Sequence, residues 1–343
     1  MKGKILVTGG TGYIGSHTVV ELQNAGFEVV IVDDLSNSTA GVVDRIEQIT
    51  GKRPEFHQLN MQDLELLENL FEQSKGIHAV IHFAAYKAVG ESVEKPLIYY
   101  RNNLLSLVNL FDCMEKFGVS NLVFSSSCTV YGQPEKLPVT EQTPRQTAES
   151  PYGNTKIVCE DIIRDYTRSN PKIQAIALRY FNPIGAHPSA LIGELPNGVP
   201  SNLVPFVTQT AAGIREQLSV FGADYNTPDG SCIRDYINVV DLAKAHVISI
   251  ERLLSRQNQS VFEYFNVGTG EGVSVLELLK AFEKATGQKV NYKIVGRRVG
   301  DIEKIYADTT KANEVLGWCS EVSLEETLLS AWNWEKRIRK MQD

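Results

Sequence analysis

The chain has 343 residues, 43% of them hydrophobic, enough for two domains or for one large α/β unit with an appendage, and enough to fill a sizeable core. Its 41 acids against 34 bases leave a net charge of -7 with no basic block along the chain, which speaks against a nucleic-acid footprint. No apolar run has the length of a bilayer span or a secretory leader, and five scattered cysteines without CxxC spacing suggest neither a disulfide framework nor a zinc site, so a cytoplasmic protein with buried thiols is expected.

Along the first half, short β-branched runs alternate with helical patterns: KILVTG, IGSHTVVELQNAG, EVVIVDD, LELLENLFEQS, AVIHFA, an apolar-periodic segment over 97–117, and NLVFSSS. This alternation predicts an α/β fold with a doubly wound parallel (Rossmann) sheet and helices on both faces. His78 and His82 fall on one of the strands, where a spacing of four does not bring side chains together as it would on a helix, so no metal is assigned. After the strand IQAIALRY the composition changes. Residues 182–229 are rich in proline, glycine and asparagine, which suits loops that build a site over a scaffold. Residues 1–180 are therefore expected to form the sheet domain and 181–343 a smaller C-terminal α/β domain that binds substrate, with a segment near 235–265 packing back on the first. Helical patterns return at VVDLAKAHVISIERLL, SVLELLKAFEKATG and ETLLSAWNWEKRIRK.

The first strand runs into TGGTGYIG, with Gly9, Gly12 and Gly15 in GxxGxxG spacing before a helix. Residues without a Cβ let backbone N–H groups approach a pyrophosphate at the helix N-terminus, where the dipole favours an anion. The second strand ends in Asp33 and Asp34, where a carboxylate can accept from an adenosine ribose 2′-OH and would repel a 2′-phosphate. With no arginine immediately following, the reading is NAD rather than NADP.

The strand NLVFSSSCTVYG ends in Ser125, Ser126 and Ser127 at the edge where ligands meet such sheets, and SPYGNTK follows, with Tyr152 and Lys156 on one face of a helix that Pro151 opens. A neighbouring ammonium favours the phenolate and brings a tyrosine closer to use as a base. Taken with HFAAYKAVGES, LRYFNPIGAHPS, IRDYINVVDLA and GDIEKIYADTTKA, in order over nearly the whole chain, these motifs resemble the UDP-glucose 4-epimerases (UDP-galactose 4-epimerases), extended short-chain dehydrogenases/reductases.

The resemblance implies an NAD-dependent isomerase that interconverts UDP-glucose and UDP-galactose through a transient 4-keto sugar, with NAD kept bound. Tyr152 would take the 4-OH proton, Lys156 would lower the pKa of the phenol and hold the nicotinamide ribose, and Ser127 would bridge the 4-OH to the phenol. It further implies cofactor contacts at Tyr13, Ile14, Asn37, Asn60, Met61, Phe83, Ala84, Ala85, Lys87, Asn102, Ser125 and Tyr180. On the sugar-nucleotide side it implies Lys87, Phe181, Asn182, Asn202, Leu203, Ser219, Val220, Phe221, Arg234, Tyr236, Arg298 and Asp301. It also implies a homodimer through apolar stripes on 97–117 and on the helix after Tyr152, with Ile157, Val158, Ile162 and Ile163. Two departures stand out. Asn60 replaces the usual aspartate near the adenine, and Ile305 stands where hexose-restricted members have tyrosine, leaving room for an N-acetyl group at C2 and adding the hypothesis of activity on UDP-N-acetylglucosamine. A uronate or pentose 4-epimerase is the alternative. A 4,6-dehydratase is disfavoured because Cys128 and Thr129 follow Ser127 where dehydratases have carboxylates. A non-catalytic NAD-sensing regulator is disfavoured because Asn102, Ser127, Tyr152 and Lys156 are all present.

Overall fold

The β-branched runs of the first half become strands of one sheet because each is flanked by a turn and followed by an amphipathic helix that covers it. The structure, a computed structural model, describes residues 2–298 and 301–340. In chain order the sheet region contains β1 (Lys4–Thr8), α1 (Tyr13–Asn24), β2 (Glu28–Asp33), α2 (Gly41–Thr50), β3 (Glu55–Gln58), α3 (Leu64–Gln73), β4 (Ile77–His82), α4 (Val89–Glu94), α5 (Pro96–Phe117), β5 (Asn121–Ser127), α6 (Pro151–Ser169) and β6 (Gln174–Tyr180). There follow β7 (Asn182–Ile184), α7 (Leu203–Ala211), β8 (Leu218–Phe221), β9 (Ile233–Arg234), β10 (Tyr236–Asn238), α8 (Val239–Leu254), β11 (Phe262–Val267), β12 (Val273–Ser274), α9 (Val275–Thr286), β13 (Tyr292–Val295), β14 (Lys304–Ile305) and α10 (Leu324–Arg339).

Seven strands form one parallel sheet in the order β11-β6-β5-β4-β1-β2-β3. Its two faces are read directly from the period of two along the strands. Ile5, Val7, Ile31, Ile81, Val123, Ile176 and Leu178 pack with α1 and α8 on one side, while Leu6, Val30, Val32, Val80, Leu122 and Phe124 pack with α3, α5 and α6 on the other. The strand order reverses between β1 and β4, so the C-terminal ends of these strands open a crevice there. Residues 239–267 contribute to this half: α8 lies against α1, and β11 pairs with β6 at the sheet edge.

The rest of the chain has its own core, in which Val204, Val207, Leu278, Leu279, Phe282, Leu328 and Trp332 bring α7, α9 and α10 together. Its helix starts are written locally. Ser274 with Glu277 and Ser323 with Glu326 each form a capping box, the serine accepting from the third helical N–H and the glutamate accepting from the serine N–H. Three short sheets, β10-β7, β12-β9-β14 and β13-β8, then carry the loops that face the crevice.

Candidate active site

The turn after β1 is built for close approach. Gly9 adopts a left-handed φ of 69°, and a Cβ on Gly15 would lie 2.2 Å from the Gly9 carbonyl oxygen. Gly12 caps α1 with no side-chain hydrogen bond, leaving the first-turn N–H groups of Tyr13 and Ile14 to the crevice. Beside this turn, the Asp33 carboxylate accepts from the N–H of Thr11 at 3.1 Å and of Leu35 at 2.9 Å, and from the Ser38 hydroxyl at 3.1 Å. Asp34 serves its own loop instead, accepting from the N–H and hydroxyl of Ser36. Of the two acids, Asp33 is the one held against the glycine turn. This cradle and its carboxylate suit the adenosine diphosphate half of NAD.

Further along the strand ends, Ala84 N–H donates to the Thr8 hydroxyl at 3.2 Å, bringing Phe83, Ala84 and Ala85 beside the turn, and the Phe83 ring lies 4.7 Å from that of His246. Asn60 is exposed and accepts from Gln62 N–H, and the Gln62 side chain in turn donates to Asn102 at 3.2 Å, a chain of contacts from β3 to α5. Asn37 is exposed in the loop after β2. Met61 joins the core beneath α3 and α5 and Val220 the core of the second half, so each turns its side chain away from the crevice and has only its backbone to offer.

The helix α6 starts where its sequence says. The Ser150 hydroxyl accepts from Gly153 N–H at 3.2 Å and Pro151 occupies the first turn, which sets Tyr152 at the positive end of the helix dipole. Four residues on, the buried Lys156 ammonium donates to the Ser125 carbonyl at 2.6 Å, lies 4.9 Å from the Phe124 ring centroid and 6.0 Å from that of Tyr152. Ser127 ends β5 in register with Tyr180 of β6, and the hydroxyls of Ser125 and Tyr180 are hydrogen-bonded. Burial pushes the Tyr152 phenol well above its usual range, Tyr180 and Cys128 add to this, and a hydrogen bond with Ser127 works in the opposite direction. Burial also pulls Lys156 down to about 8, opposed by Cys159 and Glu160, so the ammonium is mostly charged at neutral pH.

In this geometry the Lys156 charge faces a backbone carbonyl and an aromatic ring, and desolvation is the largest influence on the phenol.

On the other wall, Asp301 sits between two arginines, accepting from Arg298 at 2.8 Å and Arg234 at 3.3 Å, and the Arg298 guanidinium lies 5.6 Å from the Phe221 ring centroid. Arg297 is turned to Asp224. Ser219 precedes Val220 and Phe221 on β8, while Ile305 pairs with Arg234 between β14 and β9, and Tyr236 is buried just beyond on β10, beside Asn182 of β7. Ile305 is packed in one cluster with Cys128 and Phe181, next to Ser127. Gly300, the first residue of the GDIEKIYAD motif, lies outside the described residues. Asn202, which precedes Leu203 and α7, donates to Glu194 at 2.5 Å, and Lys87 reaches the same carboxylate at 3.5 Å. Glu194 and Ser38 were not singled out from the sequence. Both lie in polar loops, where one acid or hydroxyl looks like any other until the loop is folded.

A family model described as GDP-mannose 4,6 dehydratase matches residues 6–330. The chain is 52% identical over 331 residues, 96% of each chain, to a protein of Bacillus subtilis (strain 168) named UDP-glucose 4-epimerase. Among solved structures, UDP-glucose 4-epimerase from Bifidobacterium longum in complex with NAD+ and UDP superposes with a TM-score of 0.94 at 46% identity, covering 99% of this chain and 100% of that one. The UDP-Glc/GlcNAc 4-epimerase from Campylobacter jejuni superposes with a TM-score of 0.83 at 34% identity, covering 98% and 99%.

Proposed function

We propose a function from one premise: the chain belongs to the family whose model spans residues 6–330 and, within it, to the UDP-glucose 4-epimerases. It is an NAD-dependent isomerase that interconverts UDP-glucose and UDP-galactose. The observation that carries the site reading is the apposition of half-buried Tyr152 with buried Ser127 and Lys156 at the C-terminal end of β5, next to β4.

Gly9, Gly12 and Gly15 with the N-terminus of α1 would hold the pyrophosphate of NAD, Asp33 the adenosine ribose, and Lys156 the nicotinamide ribose, with Phe83 and Tyr180 lining the pocket. When bound, NAD supplies the acceptor and donor of the hydride exchanged with sugar C4. Tyr152 would take the proton of the 4-OH through Ser127 and return it to the C4 oxygen after the 4-keto sugar has turned over. Its phenol is held neutral by burial, so the phenolate exists only when positive charge is close; Lys156 and the dipole of α6 supply part of that charge. Arg234 and Arg298, freed from Asp301 or shared with it, suit the UDP diphosphate, because guanidinium groups make paired hydrogen bonds to phosphate, and Phe221 offers a ring face to the base.

Loss of water across C5 and C6 would need an acid and a base besides the phenol. The residues after Ser127 are Cys128, whose thiol burial pushes to about 12, and Thr129, so the site supports epimerisation over dehydration. Ile305, smaller than the tyrosine of hexose-restricted members and packed with Cys128 and Phe181, is the reason to extend the reading to an N-acetyl group at C2. Failure to turn over UDP-N-acetylglucosamine while UDP-galactose is handled well would remove that extension.

The chain is proposed to act as a homodimer, because Val93, Leu97, Leu105 and Val108 on α4 and α5 are exposed, while Ile163 on α6 is consumed by the protein's own core. Sedimentation at micromolar concentration yielding only monomer would remove this. Its five free thiols suit the cytoplasm. The test of the central reading is conversion of UDP-galactose to UDP-glucose by extensively desalted protein with no NAD added. Conversion supports both the activity and a retained cofactor, whereas none after NAD is restored would sink the hexose assignment.

A further inference from the structure

We propose that Glu160 is the positioning residue of the Tyr152–Lys156 pair, a buried clamp that fixes α6 against the ends of β5 and β6. The inference rests on the reading of Tyr152 and Lys156 as the reacting pair, and it concerns what holds them in place.

Residues 152, 156 and 160 follow one another at helical spacing on α6, so their side chains share a face. Glu160 is 2% exposed and every contact of its carboxylate is to another element. It accepts from the Ser126 hydroxyl on β5 at 2.6 Å and from Arg179 on β6 twice, Nε at 2.9 Å and Nη2 at 2.6 Å. Arg145 lies 3.6 Å away on the loop that precedes the helix. Arg179 is itself fixed, donating to the Tyr131 hydroxyl at 3.0 Å, with Tyr131 donating to Asn266 of β11 at 2.6 Å.

Ser126 is the centre of the argument. Its neighbour Ser125 provides the carbonyl that receives the Lys156 ammonium, and its other neighbour is Ser127, the hydroxyl beside the phenol. Arg179 likewise precedes Tyr180, whose hydroxyl meets Ser125. One carboxylate therefore grips the middle residue of the β5 triplet and the adjacent residue of β6 from the helix that carries the reacting pair. A bidentate arginine pair has fixed geometry, unlike an apolar contact, which can slide and rotate. The clamp sets the axial position of α6 to the tolerance that proton transfer demands, where small displacements cost orders of magnitude in rate. A buried ion pair replaced by apolar packing would serve stability as well. Its orientation toward Ser126 is what a purely structural role does not explain.

The carboxylate, four residues on from Lys156 along α6, also supports the positive charge of that ammonium. The other ionisable groups around that ammonium are Tyr152 and Cys159 on α6 and His82 on β4, and these are unchanged by substitution at 160.

The test uses the NAD-holding protein with Glu160→Gln and Ser126→Ala, reading kcat and KM for UDP-galactose together with the Lys156 titration by NMR of 13C-labelled lysine, assigned through Lys156→Met. Glu160→Gln is expected to lower kcat by about tenfold or more with little change in KM, and to move the Lys156 midpoint down by about one pH unit. Ser126→Ala should shift kcat in the same direction by less. Folded Glu160→Gln with unchanged kcat overturns the proposal, as does a fall in kcat with the Lys156 titration unmoved, the signature of a structural role alone. Should Glu160→Gln not fold, Ser126→Ala decides: wild-type kcat there overturns the clamp. If the wild-type protein itself leaves UDP-galactose unconverted, the activity reading has failed, and the lysine titration still decides the clamp, an unmoved midpoint overturning it.

Discussion

At the scale of single residues, Tyr152 is a base that its surroundings hold neutral. Burial raises the phenol, and its hydrogen bond with Ser127 works against that rise. Proton transfer by a positioned side chain contributes about 10²–10⁴-fold, so Tyr152→Phe is expected to lose that much kcat. NAD should remain bound, because the glycine turn and Asp33 hold the other half of the cofactor. Turnover within tenfold of wild type would reassign the base. At the opposite wall, Ile305 is packed with Cys128 and Phe181, and a larger ring could not be housed in the same packing. Ile305→Tyr is therefore expected to remove turnover of UDP-N-acetylglucosamine and to spare UDP-galactose, measured as the ratio of the two kcat/KM values; an unchanged ratio would move the specificity wall elsewhere.

At the scale of elements, the glycine turn links cofactor retention to backbone geometry. A methyl at position 15 would lie 2.2 Å from the Gly9 carbonyl oxygen, a backbone atom that cannot rotate away. Gly15→Ala should force the turn open, lowering stability by about 1–3 kcal/mol and releasing NAD on gel filtration, read from the absorbance of the protein peak. Retention of a full complement of NAD would show that the turn tolerates the shift. The same element shows why some features are legible in sequence and others are not. TGGTGYIG, Asp33 and SPYGNTK are local: each combines a strand or cap signal with its chemistry inside a dozen residues, so their elements and faces follow from spacing. Period-two alternation likewise gives both faces of the sheet. The Glu160 clamp, the Glu194 bridge between Lys87 and Asn202, and the sharing of Asp301 by two arginines join distant segments, and no spacing announces them. The inward direction of Met61, in the turn after β3, and of Val220 on β8 is set by which neighbours pack behind them. The direction of Lys156 depended on a carbonyl, Ser125, that a residue code does not display.

At the scale of the whole molecule, the buried histidines set how stability responds to acid. His17 on α1, His82 at the end of β4 and His246 on α8 are at most 2% exposed, and burial holds them to about 3, about 3 and about 4 respectively. His17 and His246 each keep Nε2 without a partner, so the N–H that protonation would create there finds no acceptor. In the unfolded chain each histidine titrates near 6.5, while in the folded one it stays neutral to much lower pH. The unfolded state therefore binds more protons below 6.5. The stability that these histidines contribute is complete above 6.5 and is lost as pH falls from there toward 4, at up to about 1.4 kcal/mol per pH unit for each. Most carboxylates have reference values near 4 and begin to titrate only below the upper part of this window, although burial raises Glu21 and Asp235, so histidines carry most of the change from 6.5 to 5. The urea midpoint of the NAD-holding protein should thus fall steeply from pH 6.5 to 5. His17→Leu should remove at most about a third of that slope, since it deletes one of the three fully buried proton sites, with the partly buried His187, also lowered by desolvation, adding a share of its own. An unchanged slope would mean that the fall comes from other groups, and a midpoint flat across the window would mean that these rings accept protons in the folded state.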